Sequence, residues 1–445
     1  MSLSVLILGL NYAPEPTGIA PYTTGTARFL ADAGHDVHVV TGLPHYPHWE
    51  IAAGYRSARG VLHERDGNVR VTRVAHTVPA DPTGTGRIRM EASFASRAAR
   101  AHHGSRPDVV LAVSPALLTV GAALRWRVPG RTSVGVITQD LYGRAIAETG
   151  ALGGRGAHAA AALERTLLRR ADGVVAIHES FRRSLGELGV DDRRITTIRN
   201  WSHVRPVRSG GEDLLALRRR LGWRDDEVVA LHAGNMGAKQ GLENVVEAAR
   251  VADAAGSAVR FVLLGTGNQR ARLERLGAGI ERLQFLDPLP SADFELAMAA
   301  ADVLVLNEKP GVEEMCVPSK LTSYFAAGRP VVAATSARSA ASAEVEASGG
   351  GVRVDAGEPE ALLGAVLRTG LDGATAGALG LNGQLFARDA LSEAAARTAY
   401  VDWVESLAEA RTAPRWPLRV PTPRTAPESA AARGTVSRLV AEDAS

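Results

Sequence analysis

The sequence predicts an α/β protein of two doubly wound, Rossmann-like domains that face each other across a cleft. Short apolar runs rich in Val, Ile and Leu alternate with helix-compatible stretches, as parallel strands buried on both faces require. The alternation stops at the polar stretch WSHVRPVRSGGED, residues 201–213, and then begins afresh. A chain of 445 residues is also longer than one hydrophobic core ordinarily fills.

The elements follow in order. SVLILGL reads as a strand, APYTTGTARFLADAG as a helix and HDVHVVT as the next strand. DVVLAV, SVGVIT and GVVAIH continue the series, with helices such as GAHAAAALERTLLRRA between them, and ITTIRN closes the first half. A helix, LLALRRRLGW, opens the second half, whose strands are EVVALHAG, VRFVLLG, LQFLD, DVLVLN and PVVAA. LSEAAARTAYVDWVESLAEAR is a strongly amphipathic helix, and the Pro-, Ala- and Arg-rich remainder has too few apolar residues for a core. The expected domains are therefore 1–205 and 206–390, followed by a crossover helix at 391–411 and a mostly disordered tail at 412–445.

Composition and motifs exclude several classes. Lys+Arg of 51 against Asp+Glu of 48 is too balanced for nucleic acid as the main partner. The single cysteine, Cys316, rules out an internal disulfide or a cysteine-based metal site and fits a reducing cytosol. The first strand lacks the basic flank of a signal peptide. The longest uncharged run, VVLAVSPALLTVGAAL, is shorter than the ~20 residues that span a bilayer. A dinucleotide site needs G-x-G-x-x-G after the first strand and an acid ending the second. Here the first loop is GLNYAPEPTGIA, with Gly18 as its one internal glycine, and the second strand ends VVTGLPHYP. LLGTGNQRARLE lacks the third glycine, and neither a P-loop nor H-E-x-x-H occurs. No cofactor and no metal are expected.

The order of several further segments resembles the retaining glycosyltransferases of family 4 with the GT-B fold, most of all the colanic-acid and O-antigen type of sugar transferase. The resemblance runs from about residue 3 to about residue 405. It is carried by NYAPEPTGIAPYTTGTARFLADAGHDVHVVT, GLPHYPHWE, VITQDLY and IRNWSHV in the first half. In the second half it is carried by LHAGNMGAKQGLENVVEAA, FVLLGTGNQRARLE, LQFLDPLPSADFELAMAAADVLVLN and CVPSKLTSYFAAGRPVVAA. The resemblance implies transfer of a sugar from a nucleoside diphosphate donor, UDP being the commonest in the family, to a lipid-linked or glycan acceptor in surface polysaccharide or glycolipid assembly. It implies a cytoplasmic protein at the inner membrane face; the oligomeric state is not legible. A UDP-sugar epimerase on the same fold and a degenerate, non-catalytic sugar-nucleotide-binding subunit are the alternative readings.

The resemblance also implies site residues. As the diphosphate leaves the anomeric carbon, negative charge grows on it, which fixed cations, backbone N–H groups and helix N-termini stabilise. Lys239 and Lys320 are the candidate cations, and Gly18 gives backbone access to the phosphate from the opposite domain. Asp140 and Gln139 hold donor hydroxyls or orient the acceptor. Asn235, Gly237, Gly265, Gly267, Leu286, Ser319 and Ser323 are candidate donor contacts, with Glu313 or Glu314 meeting sugar hydroxyls. His45 and Tyr46 either bind acceptor or form a packed loop. The chain departs from the family pattern at Asn235 and Gln240, where an Arg and a Lys are usual. It also lacks the common glutamate pair, whose positions fall near Met315 and Ser323. Arg87, Arg89, Arg97, Arg100 and Arg106 outweigh Glu91 on a helix-compatible stretch that either rests on anionic lipid or is a solvated face.

Overall fold

The computed structural model describes residues 2–16, 18–80, 84–101, 104–141, 154–201, 210–311 and 319–411. The tail at 412–445, most of the stretch between the halves, Glu313, Glu314 and Cys316 lie outside the described residues.

The first half contributes β1 (Ser4–Leu8), β2 (Asp36–Gly42), β3 (Val61–Asp66), β4 (Val69–Val74), β5 (Val109–Ser114), β6 (Ser133–Thr138), β7 (Gly173–Ala176) and β8 (Ile195–Thr197). Among the described residues these form one sheet in the order β3-β4-β2-β1-β5-β6-β7-β8, parallel except for β3. The second half contributes β9 (Val228–Ala233), β10 (Val259–Leu264), β11 (Leu283–Leu286), β12 (Val303–Asn307), β13 (Val331–Ala334) and β14 (Gly351–Val354). Their order, β11-β10-β9-β12-β13-β14, is parallel throughout. Strand order reverses beside β1 in one sheet and beside β9 in the other, which opens a crevice at the strands' carboxyl ends.

Two-residue periodicity explains why both faces of each sheet are apolar. Leu6 and Leu8 of β1 enter one core while Val5 and Ile7 enter the other; Leu304 and Val305 of β12 divide in the same way. The β3–β4 hairpin and β14 do not stand out in the sequence. β3 is an edge strand whose residues are exposed or half-buried, so VLHERD carries no apolar signal, and the Asp66-Gly67 turn is the readable trace. The amphipathic helix Glu393–Ala410 starts at Ser392, whose hydroxyl accepts the Ala395 N–H at 3.1 Å. It packs on the first sheet through Tyr400, Trp403, Val404 and Leu407. No described helix is long and apolar enough to cross a membrane.

Candidate active site

At the first switch point, the loops after β1, β2, β5 and β6 enclose a cavity of about 280 Å³ lined by Asn11, Gly18, Tyr46, Trp49, Arg87 and Asp140, among others. The opening loop is tied down by Glu15. This buried carboxylate accepts the Asn11 amide at 2.9 Å and the backbone N–H groups of His45 at 2.8 Å and Tyr46 at 2.9 Å. One acid thus fixes two loops that come from different strands. Gly18 has φ +70°, and a Cβ there would stand 2.9 Å from the Tyr46 ring. Glycine is required twice over, by backbone conformation and by the ring.

His45 is buried; its Nδ1 lies 3.0 Å from the Leu43 carbonyl, and its ring packs on Trp49 and on His76. Burial, reinforced by His45, lowers the His76 pKa to about 3, so that ring is neutral. His45 therefore belongs to the cavity wall, while Tyr46 is half-buried beside it. Asp140 accepts the Leu141 N–H at 2.8 Å. Burial raises its pKa, with Arg87 and the second half's Lys239 pulling the other way. The Gln139 amide is engaged by Asn200 in a reciprocal pair at 3.1 and 2.8 Å, which fixes the end of the first half to β6. Glu91 accepts the Leu117 N–H at 3.1 Å below the cavity, and burial raises its pKa to about 7 against the pull of Arg87. On the same helix, Gly84–Ala101, Arg97 reaches the Ala75 carbonyl at 2.8 Å and Arg100 folds back on Ser96. Arg87 faces the cavity and Arg89 is exposed.

At the second switch point the loop from Gly234 to Gly241 is tied down by hydrogen bonds. Met236 donates its N–H to Thr266 at 2.9 Å, and the Asn307 amide holds the Gln240 and Gly241 carbonyls at 2.8 and 2.9 Å. The Lys239 carbonyl accepts the Lys309 N–H at 2.9 Å, and the Lys239 and Asn235 side chains are exposed. Gly237 gives its N–H to the Gln240 side chain at 3.0 Å. Gly265 has φ +132°, and a Cβ on it would lie 2.2 Å from the Gly234 carbonyl oxygen; one on Gly267 would lie 2.4 Å from that of Met236. These two glycines let the β9 and β10 loops touch backbone to backbone. Beside them, Gly234, Asn235, Leu264, Thr266, Leu289 and Phe294 line a largely apolar recess, and the Leu286 carbonyl accepts the Gly265 N–H at 3.0 Å.

β9 and β12 are in register only through Leu231 and Leu304. Where they part, the Tyr324 hydroxyl accepts the Ala233 N–H at 2.9 Å and donates to the Ala233 carbonyl at 3.2 Å. That bond pins the helix Ser319–Ala326, so Lys320 in its first turn lies over Gly234; a Cβ on Gly234 would be 3.2 Å from Lys320 Cε. Ser319 begins this helix, and Ser323 is half-buried on it. His232 beneath is fully buried, and burial together with the Lys320 charge lowers its pKa to about 3. Glu308, just past β12, is pushed up to about 7 by burial, against Ser339 and Lys320.

The halves meet at Glu344, on the helix Ala340–Ser348 of the second. Its Oε1 lies 2.7 Å from His178 Nε2 and 2.9 Å from Arg199 Nε of the first. His178 Nδ1 accepts the Ser180 N–H at 3.1 Å, so the ring presents Nε2–H to the carboxylate. Burial works against the Glu344 charge, but His178 and Arg199 outweigh it and lower its pKa.

The structure thus gathers Gly18, Tyr46 and Asp140 at one switch point and Gly234, Asn235 and Lys320 at the other. Glu15, Glu308, Tyr324 and the Glu344 contact escaped the sequence reading. For Glu308 a signal existed: an acid directly after a buried strand, at the end where such sheets bind ligands.

This arrangement, two doubly wound sheets each with a crevice at its switch point, is the GT-B architecture. Residues 17–201 match the glycosyl transferase 4-like domain and residues 227–371 the glycosyl transferases group 1 domain. WcaI of Escherichia coli (strain K12), assigned as a colanic acid biosynthesis glycosyl transferase, is 33% identical over 340 residues, which is 73% of this chain and 82% of the relative. The chain belongs to glycosyltransferase family 4. Among solved structures, Anabaena HepE in complex with UDP and glucose is 17% identical, with a TM-score of 0.63 over 91% of this chain and 100% of that one. WaaG, a glycosyltransferase involved in lipopolysaccharide biosynthesis, is 15% identical with a TM-score of 0.62 over 90% and 99%. At these identities the likeness is one of fold.

Proposed function

We propose that the chain transfers a sugar, with retention at the anomeric carbon, from a UDP-sugar to a lipid-linked or glycan acceptor during assembly of a surface polysaccharide or glycolipid. The carrying observation is Lys320, held over Gly234 by the Tyr324 anchor at the point where β9 and β12 part. An ammonium there stabilises the departing diphosphate, aided by Lys239 and by the backbone near Gly18. The apolar recess around Leu289 and Phe294 suits a nucleobase, and the ribose lies toward Ser319 and Ser323. The acceptor hydroxyl, seated by Tyr46 and Asp140, attacks the anomeric carbon on the face the diphosphate leaves. The bond to the diphosphate breaks with its electron pair going to the phosphate oxygen, which takes the hydroxyl proton. Neighbours support this reading: WcaI is assigned to colanic acid biosynthesis, and HepE binds UDP and glucose.

A melting-shift screen of nucleoside diphosphate sugars, followed by an assay of donor hydrolysis, tests the proposal. UDP-sugars are expected to raise the melting temperature and to release UDP slowly. No shift with any nucleotide sugar would refute donor binding, and a shift confined to another base would refute the UDP assignment.

Peripheral contact with the inner membrane face belongs to the same proposal. Exposed Arg89 and Arg100 lie on the helix that also sends Arg87 into the cavity, so a lipid surface at this helix lies beside the acceptor entrance. The double variant Arg89→Glu, Arg100→Glu is expected to lose binding to anionic vesicles at low salt. Undiminished binding would remove this helix as the contact.

A further inference from the structure

Glu308 has a place in the donor half that the transfer chemistry above does not use. Its N–H bonds the Ala334 carbonyl at 3.0 Å, which fixes it between the ends of β12 and β13. Ser339 caps the helix Ala340–Ser348; its Oγ accepts the Ser342 N–H at 3.1 Å, and its hydroxyl serves the Glu308 carboxyl. The Glu308 Oε2 is buried and has no hydrogen-bond partner among the described residues. A charged oxygen left so is costly, while a neutral carboxyl is much less so.

Among the described residues, the charged and titratable groups near it are Lys320, His232, Lys309 and Arg338. Lys320, on the helix Ser319–Ala326, is the cation acting on Glu308. His232, from β9, is neutral beneath that lysine. Lys309 and Arg338 flank Glu308 and Ser339 along the chain and are exposed. The balance between burial and Lys320 leaves the carboxyl titrating near neutrality, at about 7. Anything that cancels the field of Lys320 or adds negative charge beside it tips that balance toward the protonated form.

We propose that donor binding is proton-linked at Glu308: a nucleoside diphosphate sugar entering beside Lys320 makes Glu308 take up a proton, so affinity for donor falls as pH rises. The inference rests on the reading that Lys320 meets the diphosphate. Glu308 acts as a positioning residue: once neutral, it no longer draws on the Lys320 charge that meets the diphosphate. The sign follows from linkage. The free enzyme loses this proton at lower pH than the complex does, so binding is tightest below the free-enzyme value. It weakens by at most about tenfold per pH unit above that value, until the complex also ionises.

Calorimetric titration of UDP-glucose, whose diphosphate diester does not itself ionise in this range, tests this in paired buffers of different ionisation enthalpy. For the wild type, net proton uptake is expected, with a dissociation constant that rises severalfold from about pH 7 to about pH 8. Glu308→Gln, which keeps the shape of the neutral acid, is expected to bind without proton uptake and with a nearly flat pH profile. Glu91 titrates in the same range but lies in the other half, so Glu91→Gln is expected to keep the uptake. Equal proton uptake by the wild type and Glu308→Gln overturns the inference, as does wild-type binding without uptake. No binding of UDP-glucose by the wild type at any pH instead overturns the UDP-donor reading beneath it.

Discussion

Lys320→Ala is expected to lower the turnover number for sugar transfer by about 10²–10³-fold, the range found when one preorganised stabiliser of developing negative charge is removed. The fold is expected to survive. Lys320 is half-exposed in the first turn of its helix, and that helix is held by Tyr324, whose hydroxyl bonds the Ala233 backbone. The melting temperature should therefore stay close to the wild-type value while turnover falls. The loss should appear in the turnover number more than in the Michaelis constant for donor, because the charge being stabilised grows toward the transition state. Near wild-type turnover in a folded Lys320→Ala protein would remove this lysine from the mechanism and return the leaving-group role to Lys239 and backbone N–H groups.

Gly265→Ala is expected to be the most disruptive small substitution in the donor half. The added methyl group would lie 2.2 Å from the Gly234 carbonyl oxygen, and the residue has φ +132°. Backbone strain of ~1–3 kcal/mol and overpacking of similar size add. In a domain of this size, that corresponds to a fall in melting temperature of roughly 10 °C. Because the displaced backbone is Gly234, over which Lys320 lies, donor affinity is expected to fall along with stability. Gly377→Ala, inside the helix Gly373–Ala390 where an added Cβ meets nothing within 4 Å, is the control: it should leave donor affinity unchanged and raise stability by about 0.5–1 kcal/mol. Wild-type stability and donor affinity in Gly265→Ala would show that the β9 and β10 loops can separate without cost.

The candidate site residues were named through the order of the family-like segments in the sequence. Gly18 lies in the loop before the first helix and Lys320 in the first turn of the helix Ser319–Ala326, both on segments that carry the resemblance. Gly265 and Gly267 stood out too, as a glycine pair after a strand, but the sequence could not tell a ligand contact from a backbone contact. Their collision with Gly234 and Met236 involves a loop about 30 residues earlier in the chain. Gln139, a donor contact by resemblance in VITQDLY, pairs in the structure with Asn200, 61 residues away. Glu15 was missed because nothing nearby marks an acid in a proline-rich loop as buried. Its partners, the His45 and Tyr46 N–H groups, arrive with the next strand.

The sequence by itself determined two α/β halves built mainly of parallel strands, without the β3–β4 hairpin or β14. Side-chain alternation along a strand is a two-residue property, and the order of strand and helix segments leaves right-handed parallel crossovers as the natural connection. The positions of the switch points come from the strand order, which is set by pairing between strands far apart in the chain. Only the tertiary structure decided the chemistry there. Whether Glu308 carries a charge, whether His232 is neutral and where Lys320 lies depend on burial and on fields summed over groups from several strands. Those groups are neighbours in space and not in the chain, so no local pattern of residues encodes their effect.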